Sequence, residues 1–358
     1  MLTIKETTQC HYDILSLGEV MLRFDPGEER IRSTRHFRVW EGGGEYNVAR
    51  GLRRCFRQRA AVVTGIANND IGLLLEDLIL QGGVDTSLVK WFEYDGFGQS
   101  VRNGLNFTER GYGIRGAVGC SDRGHSATSK IKPGDIDWDY IFGTLGVRWF
   151  HTGGIYAALS DDSYHVALEA MKSAKKYGTI VSYDLNYRAS LWANRGGLKK
   201  CQAVNKALAP FVDVMIGFPG LLGIDMETED QTTLDVSGFE GLITKATQQF
   251  TNLKVFSSTV RHVTSASQND WSAICWGHSN FYRSDAISNL DILDRVGGGD
   301  GFAAGLIYGL LEKGDLQMAV EYGNAHGALS MTTPGDNSMV SLSEVEGFMS
   351  DGGGKTQR

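Results

Sequence analysis

The chain has 358 residues, of which 42% are hydrophobic and 22% are charged, a balance typical of a globular protein with a large core. Its 35 basic and 42 acidic residues give a net charge of −7, which argues against nucleic acid as a partner. The five cysteines are scattered and lack C-x-x-C spacing, which argues against disulfides and a zinc site and favours the cytoplasm. No apolar run approaches the roughly 18 residues of a membrane span, so no membrane contact is expected.

Short apolar segments alternate with stretches of helical character along much of the chain. Tyr164 to Tyr177 is one such helical stretch between two apolar segments. The apolar segments that have the composition of buried strands are 14–17, 60–63, 146–150, 179–183, 213–216 and 253–256. This alternation predicts βαβ units and therefore an α/β fold with a mainly parallel central sheet.

Two regions interrupt this alternation, at residues 19–40 and at about 96–119. Both contain glycines and a period-two pattern, and neither shows a helical repeat. We interpret them as a small β-sheet appended to the core. Such a sheet could cover a substrate, or it could be an ordinary surface sheet or a dimer contact.

The segment Asp294-Arg-Val-Gly297-Gly-Gly-Asp300 precedes an apolar stretch that predicts a helix. Glycines let the backbone present free N–H groups, and a helix N-terminus favours an anion, so this segment has the features of a phosphate cradle. Asp300 is placed to accept a proton from an attacking hydroxyl. A plain turn with an aspartate N-cap is the structural alternative. The partial dinucleotide fingerprint Gly299-Asp-Gly301-Phe-Ala-Ala304 lies too near the C-terminus to favour an NAD-dependent oxidoreductase.

This glycine-rich segment is similar to the C-terminal signature of the ribokinase-like (phosphofructokinase-B type) carbohydrate kinases. A second segment, Gly42-Gly-Gly-Glu-Tyr-Asn47-Val-Ala49, resembles the upstream signature of the same family. The resemblance implies a three-layer fold with a central mainly parallel sheet and a small β-sheet lid. It places the kinase domain at 12–349 and the lid at about 19–40 and 96–119. The remaining tail, 350–358, is Gly-rich and polar and is expected to be disordered. A homodimer formed through the lid is also expected.

The segment Asp184-Leu-Asn186-Tyr-Arg188-Ala-Ser-Leu-Trp192 resembles the D-x-N-x-R-x-x-L-W segment of 2-keto-3-deoxygluconate kinases within that family. The resemblance implies that Asn186 and Arg188 bind a sugar acid. A planar guanidinium suits a carboxylate because it can donate two parallel hydrogen bonds. Arg123 is the preferred second arginine, with Arg115 as the alternative, and an ordinary salt bridge is the competing interpretation for Arg123 and Arg188.

By the same resemblance, Gly43 and Asn47 contact the sugar and Asp300 is the general base. The amides of Gly297, Gly298 and Gly299 would stabilise the transferring phosphoryl group of ATP, which enters with Mg²⁺. The residues expected to bind the nucleotide are Thr259, Gly297, Gly299, Asn324 and Ala328.

Two further expectations concern ions and a histidine near these residues. The metal ligands are not identified, although Asp294 corresponds to a family position that often lies at a monovalent-cation site, for example for K⁺. His326 lies among small residues, a setting more typical of a packed histidine than of a catalytic one.

One segment departs from the family pattern. Relatives usually have an Asn-Glu-Glu-type segment that helps to organise magnesium, whereas this chain has Gly217-Phe-Pro-Gly-Leu221, with no carboxylate before Asp225.

The sequence therefore leaves three functions open: a kinase that converts 2-keto-3-deoxygluconate to 2-keto-3-deoxy-6-phosphogluconate, a kinase for a neutral sugar such as fructose or ribose, and a catalytically impaired sugar-binding relative.

Overall fold

The computed structural model describes residues 2–224 and 236–352, so the predicted carboxylate Asp225 lies outside the described residues. The strands in chain order are β1 (Tyr12–Leu17), β2 (Met21–Asp25), β3 (Arg38–Gly42), β4 (Ala60–Val63), β5 (Gly65–Asn68), β6 (Lys90–Glu93), β7 (Leu105–Glu109), β8 (Val118–Asp122), β9 (Val147–Gly153), β10 (Ile180–Asp184), β11 (Val214–Ile216), β12 (Val255–Ser265), β13 (Gln268–Gly277), β14 (Asn280–Arg283) and β15 (Ile287–Asp291).

The α-helices in chain order are α1 (Gly44–Arg54), α2 (Asp70–Gln81), α3 (Gly154–Ala157), α4 (Asp161–Lys176), α5 (Ala189–Trp192), α6 (Gly197–Leu208), α7 (Val236–Gln249), α8 (Gly298–Tyr308), α9 (Leu316–Ser330) and α10 (Leu342–Asp351). Single-turn or wide-turn helical segments occupy Thr7–Gln9, Ala127–Lys130, Tyr140–Gly146, Ala209–Phe211, Pro219–Leu222 and Gly309–Lys313. No helix among the described residues is both long enough and apolar enough to cross a bilayer.

The main sheet confirms the α/β prediction, because each of the six predicted apolar segments forms or overlaps one of its strands. Its order is β14-β13-β12-β11-β10-β9-β1-β4, with β15 paired to β13. The pairs from β4 through β12 are parallel, and the strands beyond β12 are antiparallel. The predicted helical stretch from Tyr164 corresponds to α4.

Adjacent residues on the central strands point to opposite faces of the sheet and enter two separate cores. Ile14 and Trp149 belong to the core under α1, α8 and α9, whereas Leu15 and Phe150 belong to the core under α4, α6 and α7. All four side chains are fully buried. The sheet therefore lies between two layers of helices, which explains why its strands appear in the sequence as continuous apolar runs.

A separate four-stranded sheet of order β3-β2-β7-β8 confirms the small sheet predicted from the period-two regions. β2 and β3 are antiparallel, β2 and β7 are parallel, and β7 and β8 are antiparallel. Strands β3 and β8 each run past the end of the predicted regions, by two and three residues respectively. A third sheet contains only β5 and β6.

The carboxyl ends of the parallel strands and the first turns of two helices meet at one edge of the main sheet. β10 ends at Asp184, β9 ends at Gly153, and α1 and α8 begin at Gly44 and Gly298. Ligands of open parallel sheets bind at this edge. At the other end of the chain, α10 continues to Asp351, so the predicted tail begins within a helix, and residues 353–358 lie outside the described part.

Candidate active site

The glycine-rich segment forms the N-terminus of α8, where a side chain at either of the first two glycines would collide with a neighbouring group. Gly297 adopts a left-handed conformation with φ of 85°, and a Cβ atom there would lie 2.1 Å from the carbonyl oxygen of Asp336. A Cβ atom on Gly298 would lie 2.8 Å from Met331. At Gly299 a Cβ atom would meet nothing within 4 Å, so this glycine faces open space. The free amides of this turn therefore border a space that an anion could occupy.

Helix α8 holds this turn firmly because it is a core helix. Its residues Phe302, Ala303, Ala304, Leu306 and Ile307 are almost completely buried. A helix that is apolar around its whole circumference is stabilised by packing on all sides. The glycine-rich turn thus lies at the end of a rigid element, which is the arrangement that precise positioning needs.

Asp300 lies in the first turn of α8 and contacts the upstream signature. The side chain of Asn47 donates a hydrogen bond to Asp300 Oδ2 at 2.7 Å, and its own Oδ1 accepts one from the amide of Gly43 at 3.2 Å. A Cβ atom on Gly43 would lie 1.9 Å from the carbonyl oxygen of Glu19, so only glycine fits there. The structure therefore brings together three of the predicted residues, Gly43, Asn47 and Asp300.

Three carboxyl groups converge at this edge of the sheet. Burial, opposed by the Asn47 hydrogen bond, raises the pKa of Asp300 to about 6. Burial and the nearby Asp300 charge raise the pKa of Asp184 to about 7. Burial, together with the charges of Asp300 and Asp184, raises the pKa of Glu45 to about 8. Carboxyl groups whose pKa values are pushed apart in this way are typical of sites that move protons.

The raised pKa of Glu45 can be tested through the pH dependence of the folding stability. It is 3% exposed, its Oε1 accepts a hydrogen bond from the Tyr156 amide at 3.2 Å, and its Oε2 has no hydrogen-bond partner. The folded protein keeps the proton of Glu45 up to a pKa of about 8. The unfolded chain loses this proton above about pH 4.3, so this residue lowers the stability of the folded state as the pH rises between those values.

We therefore expect Glu45→Gln to raise the melting temperature several degrees at pH 8 and to change it little at pH 5. The amide is neutral at both pH values and keeps the oxygen that accepts from Tyr156. Between the two pKa values, Glu45 lowers the free energy of unfolding by up to about 1.4 kcal/mol for each pH unit of increase. Thermal melts of both proteins at the two pH values measure it. An equal difference at pH 5 and pH 8 would contradict a raised pKa at Glu45.

One predicted arginine, Arg188, acts on Asp300 through its charge. Arg188 is exposed, and its Nη1 donates to Asn186 Oδ1 at 2.8 Å. Its positive charge lowers the pKa of both Asp184 and Asp300. The structure therefore joins the predicted pair Asn186 and Arg188, and the charge of Arg188 acts on the predicted base.

Arg261 and Arg295 were not among the predicted site residues. Burial, with the charges of Arg295 and Arg188, lowers the pKa of Arg261 to about 10. Burial also lowers the pKa of Arg295. Arg261 follows Thr259 by two residues on β12, so the two side chains share one face of that strand, and this spacing was the available sequence signal. Three arginines whose charges interact form a strong local attraction for an anion.

Arg123 is placed differently, because it forms an ion pair with Glu19. Glu19 is only 2% exposed, and Arg123 lies mostly buried above it. The alternative arginine, Arg115, lies 3.8 Å from Glu109. Each of these arginines thus has a carboxylate partner, as the salt-bridge interpretation supposed for Arg123.

The predicted nucleotide residues lie on two neighbouring elements. Thr259 pairs with Ala273 across β12 and β13. Asn324 and Ala328 are buried in α9, where Asn324 donates to the carbonyl oxygen of Asp285 at 2.9 Å and accepts from the Trp271 indole through its own carbonyl. These contacts join α9 to β13 through Trp271 and to the segment between β14 and β15 through Asp285. The nucleotide role of the three residues stays a prediction.

His326 is a packed residue, as expected. It is completely buried, with Nδ1 at 2.7 Å from the carbonyl oxygen of Gly301 and Nε2 at 2.8 Å from Ser338 Oγ. Burial lowers its pKa to about 4, so it is neutral near pH 7. Through the Gly301 carbonyl oxygen it contacts the first turns of α8.

The segment after β11 turns sharply and lies inside the protein. Gly217 has φ of 105°, and a Cβ atom there would lie 3.1 Å from Asp184 Oδ1. Pro219–Leu222 form a buried single-turn helix. Within residues 2–224 and 236–352, no three His, Cys, Asp or Glu side chains are grouped to hold a metal ion. Asp184 lies against this segment through its contact with Gly217.

Known proteins resemble the chain over nearly its whole length. The pattern of the pfkB family carbohydrate kinases matches residues 244–342. A 2-dehydro-3-deoxygalactonokinase of Haloferax volcanii is 26% identical, over 95% of this chain and 97% of that protein. A 5-dehydro-2-deoxygluconokinase of Clostridium botulinum is 24% identical, over 95% and 93%.

A solved structure of 2-dehydro-3-deoxygluconokinase from Thermotoga maritima is 34% identical, with a TM-score of 0.85, and the similarity covers 94% of this chain and 99% of that one. This similarity confirms the predicted ribokinase-like fold. Identity at this level over nearly complete chains, together with the matched pattern and the two glycine-rich signatures, establishes the relationship. The chain therefore belongs to the pfkB family of carbohydrate kinases.

Proposed function

We propose that this kinase transfers the γ-phosphoryl group of ATP to the terminal hydroxyl of a sugar acid. The substrate would be 2-keto-3-deoxygluconate, which is also called 2-dehydro-3-deoxygluconate, and the product 2-keto-3-deoxy-6-phosphogluconate. The observation that carries the proposal is the placement of Asp300, held by Asn47 at the glycine-rich turn with the Arg188 charge beside it. The names of the relatives agree with a deoxy keto-acid substrate.

In the proposed reaction, Asp300 accepts the proton of the sugar hydroxyl while that oxygen bonds to the γ-phosphorus. The bond between the γ-phosphorus and the bridging oxygen breaks, and ADP leaves. The amides of Gly297, Gly298 and Gly299 donate hydrogen bonds to the phosphoryl oxygens as negative charge spreads over them. A pKa of about 6 keeps Asp300 ionised near pH 7 while leaving it basic enough to accept a proton.

We assign the arginines to two different anions. Asn186 and Arg188, which follow the C-terminal end of β10, would bind the substrate carboxylate. Arg261 and Arg295, which lie toward β12 and the glycine-rich turn, would contact the triphosphate. Arg123 could contribute a hydrogen bond to the sugar acid while its ion pair with Glu19 holds it in place.

Magnesium would enter bound to ATP, where it neutralises phosphate charge and helps to orient the transferring group. Asp184 lies against Gly217, in the segment where relatives have an acid. Asp184, ionised by the approach of a cation, is our candidate to hold a water of the metal shell. The buried segment 219–222 offers no other carboxylate.

The small sheet would act as the lid over the sugar, since its strand β3 leads directly into Gly43 and α1. Every residue of β8 is exposed, so this edge strand is open to pairing with another chain. This supports the expected homodimer through the lid.

The proposal is tested by following ADP release from Mg·ATP with each of several sugars. The panel contains 2-keto-3-deoxygluconate, its galactose epimer, 5-dehydro-2-deoxygluconate, gluconate, fructose and ribose. Selective turnover of the keto-deoxy acids is expected, because only they combine a carboxylate with the expected chain shape. Preference for fructose or ribose would replace the proposal with a neutral-sugar kinase. Binding of a sugar acid without ADP release would instead indicate a catalytically impaired relative.

A further inference from the structure

A buried arginine from the small sheet lies against the glycine-rich loop of the main domain. Arg23, on β2, is 1% exposed, and its two terminal nitrogens form ion pairs with Asp294 and Asp336, each at 2.5 Å. Asp294 and Asp336 are 2% and 7% exposed. Asp25, on the same strand, lies 4.0 Å from the guanidinium and also pairs with Arg110.

The donors around Asp294 occupy both of its oxygens. Oδ2 accepts from Arg23 and from the amide of Gly335 at 3.2 Å, and Oδ1 accepts from the amide of Val296 at 3.2 Å. All three partners point N–H groups at this carboxylate. A metal cation needs oxygen lone pairs, and it is repelled by N–H hydrogens and by a guanidinium charge. The residues present therefore do not fit a monovalent cation bound through Asp294.

We propose that the guanidinium of Arg23 takes the place of a monovalent cation beside the phosphate-binding turn, so that this kinase works without K⁺. The proposal builds on the phosphoryl transfer proposed above. Arg23 is then a positioning residue, because it acts on the turn through Asp336 and Asp294 and does not touch the substrate.

The coupling from Arg23 to the turn is a short chain of contacts. The carbonyl oxygen of Asp336 lies so close to Gly297 that a Cβ atom there would stand 2.1 Å away. Arg23 fixes the Asp336 side chain through a hydrogen bond to its Oδ1. Asp294, three residues before Gly297, is fixed by the same guanidinium. Both sides of the turn that presents the amides are thus held by one cation.

The positive charge of Arg23 is always present, unlike that of a bound ion, which can dissociate. Burial works to lower the pKa of Arg23, but Asp336 and Asp294 outweigh it and raise the pKa, so the charge is permanent. Two buried carboxylates require such a charge, because without it they repel each other in a poorly solvated space. Removing the Arg23 side chain should therefore leave a cavity and two uncompensated carboxylates, which a cation from solution would stabilise.

The first experiment uses the unmodified enzyme. Initial rates are measured from zero to about 100 mM KCl, with tetramethylammonium chloride keeping the ionic strength constant so that general screening does not change. We expect the rate to vary by less than about twofold. Activation by KCl of more than about fivefold would overturn the proposal, and this result needs no variant to fold.

Two variants test the assignment to Arg23. Arg23→Ala should lose at least about tenfold in rate without K⁺, because two buried carboxylates lose their partner, and KCl or NH₄Cl should restore part of it. The matched control is Arg50→Ala, which removes an arginine that binds Glu41 and the Ser338 carbonyl oxygen in the same region but does not contact Asp294. Its rate should not respond to K⁺. A folded Arg23→Ala that remains indifferent to both salts would contradict the proposal.

Thermal melts separate this proposal from the proposed reaction. The melting temperature of the wild type should be the same in potassium and tetramethylammonium salts, with or without Mg·ADP, whereas that of Arg23→Ala should rise in K⁺. This readout needs no sugar substrate. A K⁺-specific rise in the wild type would show that the ion still binds, whatever the enzyme phosphorylates.

Discussion

Asp300→Asn is expected to lower kcat by about 10²- to 10⁴-fold while leaving the protein folded, since this is the range that a positioned general base contributes. The amide has nearly the same shape as the carboxylate and retains an oxygen that can accept from Asn47, as Asp300 Oδ2 does at 2.7 Å. The sugar and ATP should bind almost as before, so KM should change much less than kcat. Steady-state kinetics with the best substrate of the panel measure both quantities, and a melt confirms the fold.

The pH profile gives a second signature of the same residue. The pKa of Asp300 is raised to about 6, mainly by burial. A base must be ionised to act, so kcat/KM should be constant above that value and fall about tenfold per pH unit below it. The acidic limb should disappear in the residual activity of Asp300→Asn. If the variant keeps more than about a tenth of the wild-type kcat, Asp300 is not the base.

Asn47→Ala is the matched control for that profile. The hydrogen bond from Asn47 favours the ionised form of Asp300 and lowers its pKa, so removing it should move the acidic limb to higher pH. A variant that only disturbed packing would lower the rate at every pH equally. The direction of the shift therefore distinguishes the two explanations.

Much of the fold was predictable because its signals are local. Strands such as β1 and β10, which are covered on both faces, appear as short apolar runs, and glycine clusters mark turns where a side chain does not fit. At Gly297 the positive φ and the nearby Asp336 carbonyl oxygen show the physical reason for one of these glycines. The small sheet was visible as a change of period, although its strand boundaries were not.

The contacts that define the candidate site were less predictable, because they join residues far apart in the chain. Asn47 and Asp300 are 253 residues apart, and they were associated only through the family resemblance. Arg23 and Asp294 are separated by 271 residues. In the sequence Arg23 is one charged residue in a short strand, and nothing near it indicates that its partners are aspartates beside a phosphate-binding turn.

The shifted pKa values could not be predicted from the sequence either. Glu45, Asp184 and Asp300 stand in three different segments, and each appears as an ordinary acid. Their raised pKa values arise mainly from burial, and nearby charges add to it: Asp336 raises the pKa of Asp300, Asp300 raises that of Asp184, and both Asp300 and Asp184 raise that of Glu45. These causes exist only once the carboxyl ends of the strands and the starts of α1 and α8 are brought together.

Arg188→Gln is expected to raise KM for the sugar acid about 10- to 100-fold, with a smaller effect on kcat. A hydrogen bond to a charged group contributes about 1.5–3 kcal/mol, and the exposure of Arg188 argues for the lower part of that range. The carboxylate is remote from the reacting hydroxyl, so its binding should be equal in the ground state and the transition state. Any slow turnover of fructose or ribose should be unchanged. KM values for the acid and for a neutral sugar, measured on both proteins, test this.

Arg123→Gln is the matched comparison, and it should behave differently. Arg123 is already paired with Glu19, which is 2% exposed, so the substitution leaves a buried carboxylate without its partner. We expect a loss of about 1–3 kcal/mol in folding stability and a smaller rise in KM than at Arg188. The reverse pattern, with KM dependent on Arg123 and not on Arg188, would move the carboxylate site from the β10 edge to the lid. If neither variant changes KM for the acid, the enzyme does not recognise a carboxylate, and the neutral-sugar kinase becomes the better interpretation.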